Sequence, residues 1–371
     1  MPLNTIPNKG LTSRGYPSDR LVTPIIINGD MSIAQRGTST SGVTSTSYNS
    51  CDRWQTVISS LGTWTQSQST DVPTGQGFSS SFKIECTTAD ASPAAGDFLM
   101  IQQNIEGQNL QMLKFGTSNA EGLTASFWVK SNKTGTYVCE LWNRDANRIY
   151  NKAYTISSAN TWEKKTLTWE GDTGGSGINN DNGVGMEMSF FLGAGSDRTS
   201  GTLPTGWETK DNANRAVGQV NLADSTSNEF YVTGVQLEVG EFDSTTLPSF
   251  PFESHESNLR KCQRYLQRYG TTNYRGIMVG AVQSSGGNLH CCMTYMTTMR
   301  AQPSNSFSNL VITDRFSADY DVSSVGNFIA DVSSLYVRFT NSSLSAQGNN
   351  ECWLIVVKSG NDGYFELDAE L

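Results

Sequence analysis

The sequence predicts an all-β protein: a jelly-roll β-sandwich followed by a linking α-helix and a second small β-sandwich domain. Three observations lead there. Ser (45), Thr (38), Asn (29) and Gly (35) make up 147 of the 371 residues, and these types favour turns, caps and strands over helix interiors. Many segments alternate apolar and polar residues with period two. Stretches rich in Gly, Asn, Asp and Ser separate those segments. Charge points the same way. There are 26 Lys+Arg and 35 Asp+Glu, 16% charged with a net charge of −9, against a usual charged share of about 25%. This composition excludes a helical bundle, a coiled coil and a basic nucleic-acid binder, which needs clustered Lys and Arg. Eight Trp and 16 Phe exclude a disordered chain, which lacks large apolar groups.

The elements follow in order. Residues 1–24, with Pro2, Pro7, Pro17 and Pro24, predict an extended anchoring arm without a core of its own. Met1 to Arg20 lacks the apolar stretch of a secretory signal, and no apolar run is long enough for a membrane-spanning helix. Residues 25–250 form the jelly roll. Ile25, Ile26 and Ile27 are its expected first strand, with Asn28-Gly29 as a turn. Leu123, Ala125, Phe127 and Val129 alternate with polar residues and Trp128. Tyr137, Cys139 and Leu141 alternate with Val138, Glu140 and Trp142. Met186, Met188, Phe190 and Leu192 form a third such series, and Glu229–Val239 closes the domain. Four long loops are expected, at 38–50, 87–96, 171–185 and 193–219; loops on a rigid sandwich are where binding residues gather. Residues 251–270 hold a Pro-containing linker and an amphipathic helix, Ser257–Tyr269, with Leu259, Cys262, Leu266 and Tyr269 on one stripe and Gly270 at its C′ position. Residues 271–371 form the second sandwich, with Leu335, Val337 and Phe339 alternating.

Few residues point to catalysis. The seven cysteines form no CxxC pair and are expected reduced and mostly buried; Cys291 and Cys292, as neighbours on a strand, face opposite ways. The two histidines, His255 and His290, lie in no ligand or triad motif. Glu140, Glu163, Glu170, Asp172 and Glu187 stand on or near strands, where two carboxylates ~5–10 Å apart would suit glycoside hydrolysis and outward solvated residues are the alternative. In the loop 171–185, Asp172, Asn179, Asp181 and Asn182 offer the hard oxygen ligands Ca²⁺ prefers; a turn built of turn-forming residues explains them equally. Trp128 and Trp142 fall on the parity opposite their strands' apolar sets, and Trp162 and Trp207 near strand ends or loops. These four are the candidate sugar-contact residues, because a flat ring offers apolar area to a pyranose face. A second buried face is the competing reading for Trp128 and Trp142.

Several stretches, taken in order, carry a family resemblance: Ile27–Ser39 (INGDMSIAQRGTS), Tyr48–Trp54 (YNSCDRW), Phe127–Lys130 (FWVK), Phe230–Gly240 (FYVTGVQLEVG), Leu259–Tyr265 (LRKCQRY), Met299–Pro303 (MRAQP) and the closing ELDAEL. From about residue 25 to 371, the chain resembles tail-fibre and appendage structural proteins of tailed bacteriophages. These carry a jelly roll similar to carbohydrate-binding modules, then a short helix and a small β domain. The resemblance implies a non-enzymatic virion protein, assembled in the host cytoplasm, that takes part in recognising host-surface glycan. It implies contact with other virion proteins through the arm, a homotrimer, no nucleic-acid partner and no membrane insertion, and it brings no catalytic residue. A capsid-decorating or cement protein is the alternative, and a polysaccharide depolymerase a third. Within the matching stretches, an Arg36–Asp52 pair is expected to pin the first loop to the sandwich.

Overall fold

Among the residues described by the computed structural model, 24–270, 276–316 and 318–371, the chain divides into two compact units, Met1–Glu253 and Ser254–Leu371. The expected arm thus lies outside the described residues, except for Pro24.

The strands of the first unit are β1 (Ser39–Val43), β2 (Ser47–Tyr48), β3 (Gln55–Ser59), β4 (Thr63–Ser69), β5 (Ser81–Thr88), β6 (Phe98–Glu106), β7 (Leu123–Ser131), β8 (Gly135–Asn143), β9 (Arg148–Ile156), β10 (Glu163–Trp169), β11 (Val184–Ala194), β12 (Glu208–Thr209) and β13 (Glu229–Val239). They build two antiparallel sheets. The first has the order β1-β4-β5-β13-β7-β10 and the second β12-β9-β8-β11-β6-β3-β2. The alternating series seen in the sequence face inward from both. Leu123, Ala125, Phe127 and Val129 of the first sheet, and Tyr137, Cys139, Leu141, Met186, Met188 and Phe190 of the second, are fully buried in one core. Trp54 and Trp64 fill the same core, each with its indole N–H donating to a backbone carbonyl, of Asn28 and Leu61 respectively. At about 25 cal/mol per Å² of apolar surface, such burial is the main term holding the sheets together.

Two local expectations are corrected. Ile25–Ile27 is a bent segment, not a strand. Its polar groups are met by a side chain, as Ile27 N–H donates to Gln103 Oε1 and Gln103 Nε2 donates back to Ile27 O. Gly29 then touches β13 directly: Val235 N–H donates to Gly29 O at 2.9 Å, and a Cβ at Gly29 would lie 2.1 Å from Val235 O. The first loop is pinned by Gln35, whose N–H and Nε2 both donate to the Asp52 carboxylate at 2.8 and 2.6 Å, while the Arg36 guanidinium lies over the Tyr48 ring. The stretch 38–50 is not all loop, because its Ser and Thr residues form the edge strands β1 and β2, paired with β4 and β3. In β13, Gly234 (φ +62°) sits in a bulge opposite β7, and the Phe78 ring occupies the place its Cβ would take.

In the second unit, a helix runs from His255 to Gln263, with Ser254 Oγ accepting from Ser257 N–H as its N-cap. It is shorter than the stripe predicted. Leu266–Tyr269 is a strand, β14, paired with the strand Tyr364–Asp368. The i, i+4 spacing that read as helix meets a partner strand, whose ladder satisfies the backbone equally well. The remaining strands are β15 (Gly276–Gln283), β16 (Asn288–Thr294), β17 (Ser304–Ser308), β18 (Leu310–Thr313), β19 (Asp319–Asp321), β20 (Ser324–Ala330), β21 (Ser334–Thr340), β22 (Cys352–Val357) and β23 (Tyr364–Asp368). They form a seven-stranded sheet, β19-β18-β22-β15-β16-β21-β20, and a three-stranded one, β14-β23-β17. These sheets share a core of Leu289, Val337, Phe339, Ile355, Phe365 and Leu367. All seven cysteines are free; Cys291 is buried and Cys292 exposed, on opposite faces as expected. No helix of the described residues is long and apolar enough to cross a membrane.

Candidate functional site

The four candidate tryptophans fall into three settings. Trp207 is a wedge. Its ring packs edge-on against Phe115 and Tyr150, at 5.3 and 6.0 Å between centroids, and its N–H donates to Glu170 O. It seals the margin of the core.

Trp162 and Trp128 belong to the outward side of the first sheet. There Trp162 Nε1 donates to Asp71 Oδ1 at 2.9 Å, and the Asp71 carboxylate also pairs with Lys130. The Lys130 ammonium lies 4.2 Å from the centre of the Tyr231 ring and 5.7 Å from that of Trp162. Lys83 pairs with Glu85 and Glu229 beside them. Burial works against the ionised Asp71, but the hydrogen bonds from Lys130 and Trp162 prevail and hold its carboxyl below the usual range. Asp71, Lys130, Lys83, Glu85 and Glu229 are thus paired with one another. Trp128 is half-buried on the same side, in register with Thr233 on β13 and Lys164 on β10.

Trp142 stands on the outward side of the second sheet, in a different environment. Register places a row of polar residues across that side. Asn151 of β9 lies opposite Glu140 of β8, Glu140 opposite Ser189 of β11, Ser189 opposite Gln102 of β6, and Gln102 opposite Gln55 of β3. One step along, Trp142 lies opposite Glu187, and Glu187 opposite Asn104. All of these but Trp142 are buried. Beyond Ser189 the loop after β11 lies on the sheet, so that Leu203 and Ala216 pack with Met100, Val138 and Phe191 in a small apolar cluster.

That loop also delivers charge. Arg215 donates from Nε and Nη2 to the two oxygens of Glu140, Nε at 2.8 Å, with both side chains buried. Asn151 Nδ2 donates to the same carboxylate and to Arg215 O. Arg144 Nη1 donates to Glu187 Oε1 at 2.8 Å. Around the Trp142 ring centre stand Arg144 Cζ at 4.0 Å, Lys210 Nζ at 4.3 Å and Arg215 Cζ at 5.0 Å, within cation–π range. Burial pushes the Glu187 carboxyl up to about 7, against the pull of Arg144. Burial, and then the nearby Arg215, hold the Lys210 ammonium below the usual lysine range. Four buried atoms on this side find no hydrogen-bond partner among the described residues: Trp142 Nε1, Ser189 Oγ, Asn151 Oδ1 and Arg198 Nε. A buried polar group left unpaired costs about 1–3 kcal/mol.

The residues offered as Ca²⁺ ligands serve this site differently. The Asp172 carboxylate is fully buried against Arg148 Nε, at 3.0 and 3.1 Å. Asn179 donates from its backbone N–H and from Nδ2 to Asp145, and Asp181 Oδ1 accepts from Gly183 N–H to close its own turn. Among the described residues, no group of three or more His, Cys, Asp or Glu is placed to hold a metal ion. These contacts are staples instead. Asp172 fixes Arg148, whose Nη2 donates to Trp207 O, and Asn147 O accepts from Lys210 N–H. The loop 171–183 thereby holds the 144–147 turn and the 207–210 segment, which carry Arg144 and Lys210 to Trp142. Of the other carboxylates weighed for hydrolysis, Glu163 accepts from the N–H groups of Ser157 and Ser158 and pairs with Lys165, and Glu170 is exposed.

Sequence reasoning found Trp142, Glu140 and Glu187 but not the cations. Arg144 carried a signal, lying two residues beyond Trp142 and hence on its parity. Lys210 and Arg215 are loop residues 68 and 73 positions after Trp142, and nothing local marks them.

No family model matches the chain, and no curated protein matches it. Several solved structures are similar to it. A putative sugar-binding protein from Bacteroides thetaiotaomicron is 11% identical, over 58% of this chain and 100% of its own, with a TM-score of 0.33. The enzymatically active domain of tailspike protein 4 from bacteriophage CBA120 is 14% identical over 58% of this chain, with a TM-score of 0.31; the match covers 21% of the tailspike chain. A family 11 carbohydrate-binding module from Clostridium thermocellum, in complex with a β-1,3-1,4-mixed-linked tetrasaccharide, is 9% identical over 56% of this chain and 98% of its own, with a TM-score of 0.29.

Proposed function

We propose that the protein is a non-enzymatic structural component of a tailed-phage particle, a tail fibre or appendage that helps recognise host-surface glycan. The glycan meets the outward side of the second sheet at Trp142. The observation that supports this is the row of amide, hydroxyl and carboxylate side chains beside a half-buried indole, several of whose polar atoms lack partners. Sugar hydroxyls are donors and acceptors of the kind such a row pairs with. The carboxylates favour binding over hydrolysis, since Glu140 is held by Arg215 and Asn151 and Glu187 by Arg144. The neighbours' titles name sugar-binding proteins and a phage tailspike, in keeping with this reading. Arm residues 1–24 anchor the chain to other virion proteins, a homotrimer is the working assembly, and the place of action is the virion. Adsorption of the purified chain to host cells, and its binding to a glycan array, test the proposal: binding abolished by Trp142→Ala with the melting transition retained supports it, and no glycan binding by the wild type sinks it.

One observation favours the cement reading. In the second unit Val279, Met296, Phe316 and Ile329 are 58–95% exposed, and large exposed apolar groups suit contact with other proteins. A particle-binding chain that retains no glycan would decide for it. Release of reducing sugar from host polysaccharide would decide for the depolymerase.

A further inference from the structure

Building on the glycan reading, we infer that the ligand taken at Trp142 is an acidic glycan, whose carboxylate is received by Lys210 and Arg144.

The charge around Trp142 runs against the rest of the chain. The protein carries a net charge of −9, yet around Trp142 stand Arg144, Lys210 and Arg215, with Arg198 close enough to act on Lys210, beside the carboxylates Glu140 and Glu187. The two carboxylates are committed to Arg215 and Arg144. Among the described residues, Lys210 and Arg198 have no carboxylate within ion-pair distance. The acids nearest in sequence to Lys210 serve their own loop, as Glu208 accepts from Asn214 Nδ2 and Asp211 from Ala213 N–H. The Arg198 guanidinium lies over the Phe98 ring, with Cζ at 3.7 Å, and donates from Nη1 to Gly96 O. The lowered affinity of Lys210 for its proton has crowding by Arg215, Arg144 and Arg198 among its causes, a strain that a bound anion relieves. Glu187, poised near neutral pH, neutralises Arg144 only in part there.

One further observation points to an anionic ligand. The stacking surface of Trp142 is shared by three cations. A uronic acid brings these cations a counter-charge, which a neutral pyranose does not.

The test uses the full chain and matched polymers: polygalacturonate and alginate, each beside its carboxyl-reduced form, and neutral xylan. Binding is measured by calorimetry at low and high salt. The expected result is at least about tenfold tighter binding to a polyuronate than to its reduced form, weakened by salt. Lys210→Ala should lose about tenfold on the polyuronate alone, and Lys210→Arg should restore it. Equal binding to both members of a pair, or a Lys210→Ala variant that binds like the wild type, overturns the acidic assignment and leaves the glycan reading standing. Binding to none of the polymers overturns the glycan reading and this inference with it.

Discussion

The two outward sheet sides of the first unit are built from the same materials, aromatic rings with lysine or arginine over them, and differ in how the polar groups around Trp162 and Trp142 are satisfied. On the first sheet, Lys130, Asp71 and Trp162 close a ring of contacts beside Tyr231, and Lys83 has two carboxylates. On the second, three cations surround Trp142, and among the described residues Lys210 has no carboxylate within ion-pair distance and buried Ser189 Oγ and Trp142 Nε1 have no partner. The difference teaches that an outward aromatic on a strand does not mark a binding site. The mark is an aromatic among polar groups that the protein itself leaves unpaired.

The largest expected effect tests burial. Glu140→Ala strands Arg215 in the interior and should cost about 3–5 kcal/mol in urea unfolding. Asp71→Ala breaks a pair whose carboxylate side is 45% exposed and should cost about 1 kcal/mol or less. Equal costs would remove the contrast between the sides.

Two tryptophans come next. Trp207→Ala should destabilise by about 3 kcal/mol because its ring seals the core margin. Trp142→Ala should cost about 1 kcal/mol yet abolish glycan retention. Thermal unfolding beside a binding assay separates these outcomes, and a reversed order would make Trp142 the structural one.

The next effect lies in pH. The folded state raises the Glu187 carboxyl from 4.5 to about 7, so the folded protein holds this proton more tightly than the unfolded chain. The stability it contributes is complete below pH 4.5 and is lost as pH rises through 7. Glu187→Gln should abolish that fall, about 3 kcal/mol, in denaturation curves taken across the window. A variant that still tracks the wild type would show that burial does not govern this group. The smallest effect is that of Trp162→Phe, which keeps the ring and loses the N–H bond to Asp71. About 0.5–1 kcal/mol is expected, with glycan binding untouched; a binding defect would move the site to the first sheet.

Much of the fold was legible because period-two alternation is local. The series through Phe127, Cys139 and Phe190 needed no knowledge of partners to be assigned an inward face. Ile25–Ile27 and Leu266–Tyr269 misled because their conformation depends on distant backbone: Gln103 satisfies the first, and β23 claims the second. Asp172 and its neighbours read as ion ligands because oxygen-bearing side chains look alike until Arg148 and Asp145 are seen beside them.

The amino-acid sequence by itself determined which side of each strand faces the core, and therefore that Trp128 and Trp142 face away from it, since side-chain direction follows from the pleat alone. Only the tertiary structure decided that Arg215, 75 residues from Glu140, lies on that carboxylate, and that Lys210 comes to the Trp142 ring. Charge pairing acts through space across loops of dozens of residues, and no local pattern encodes which two ends will meet.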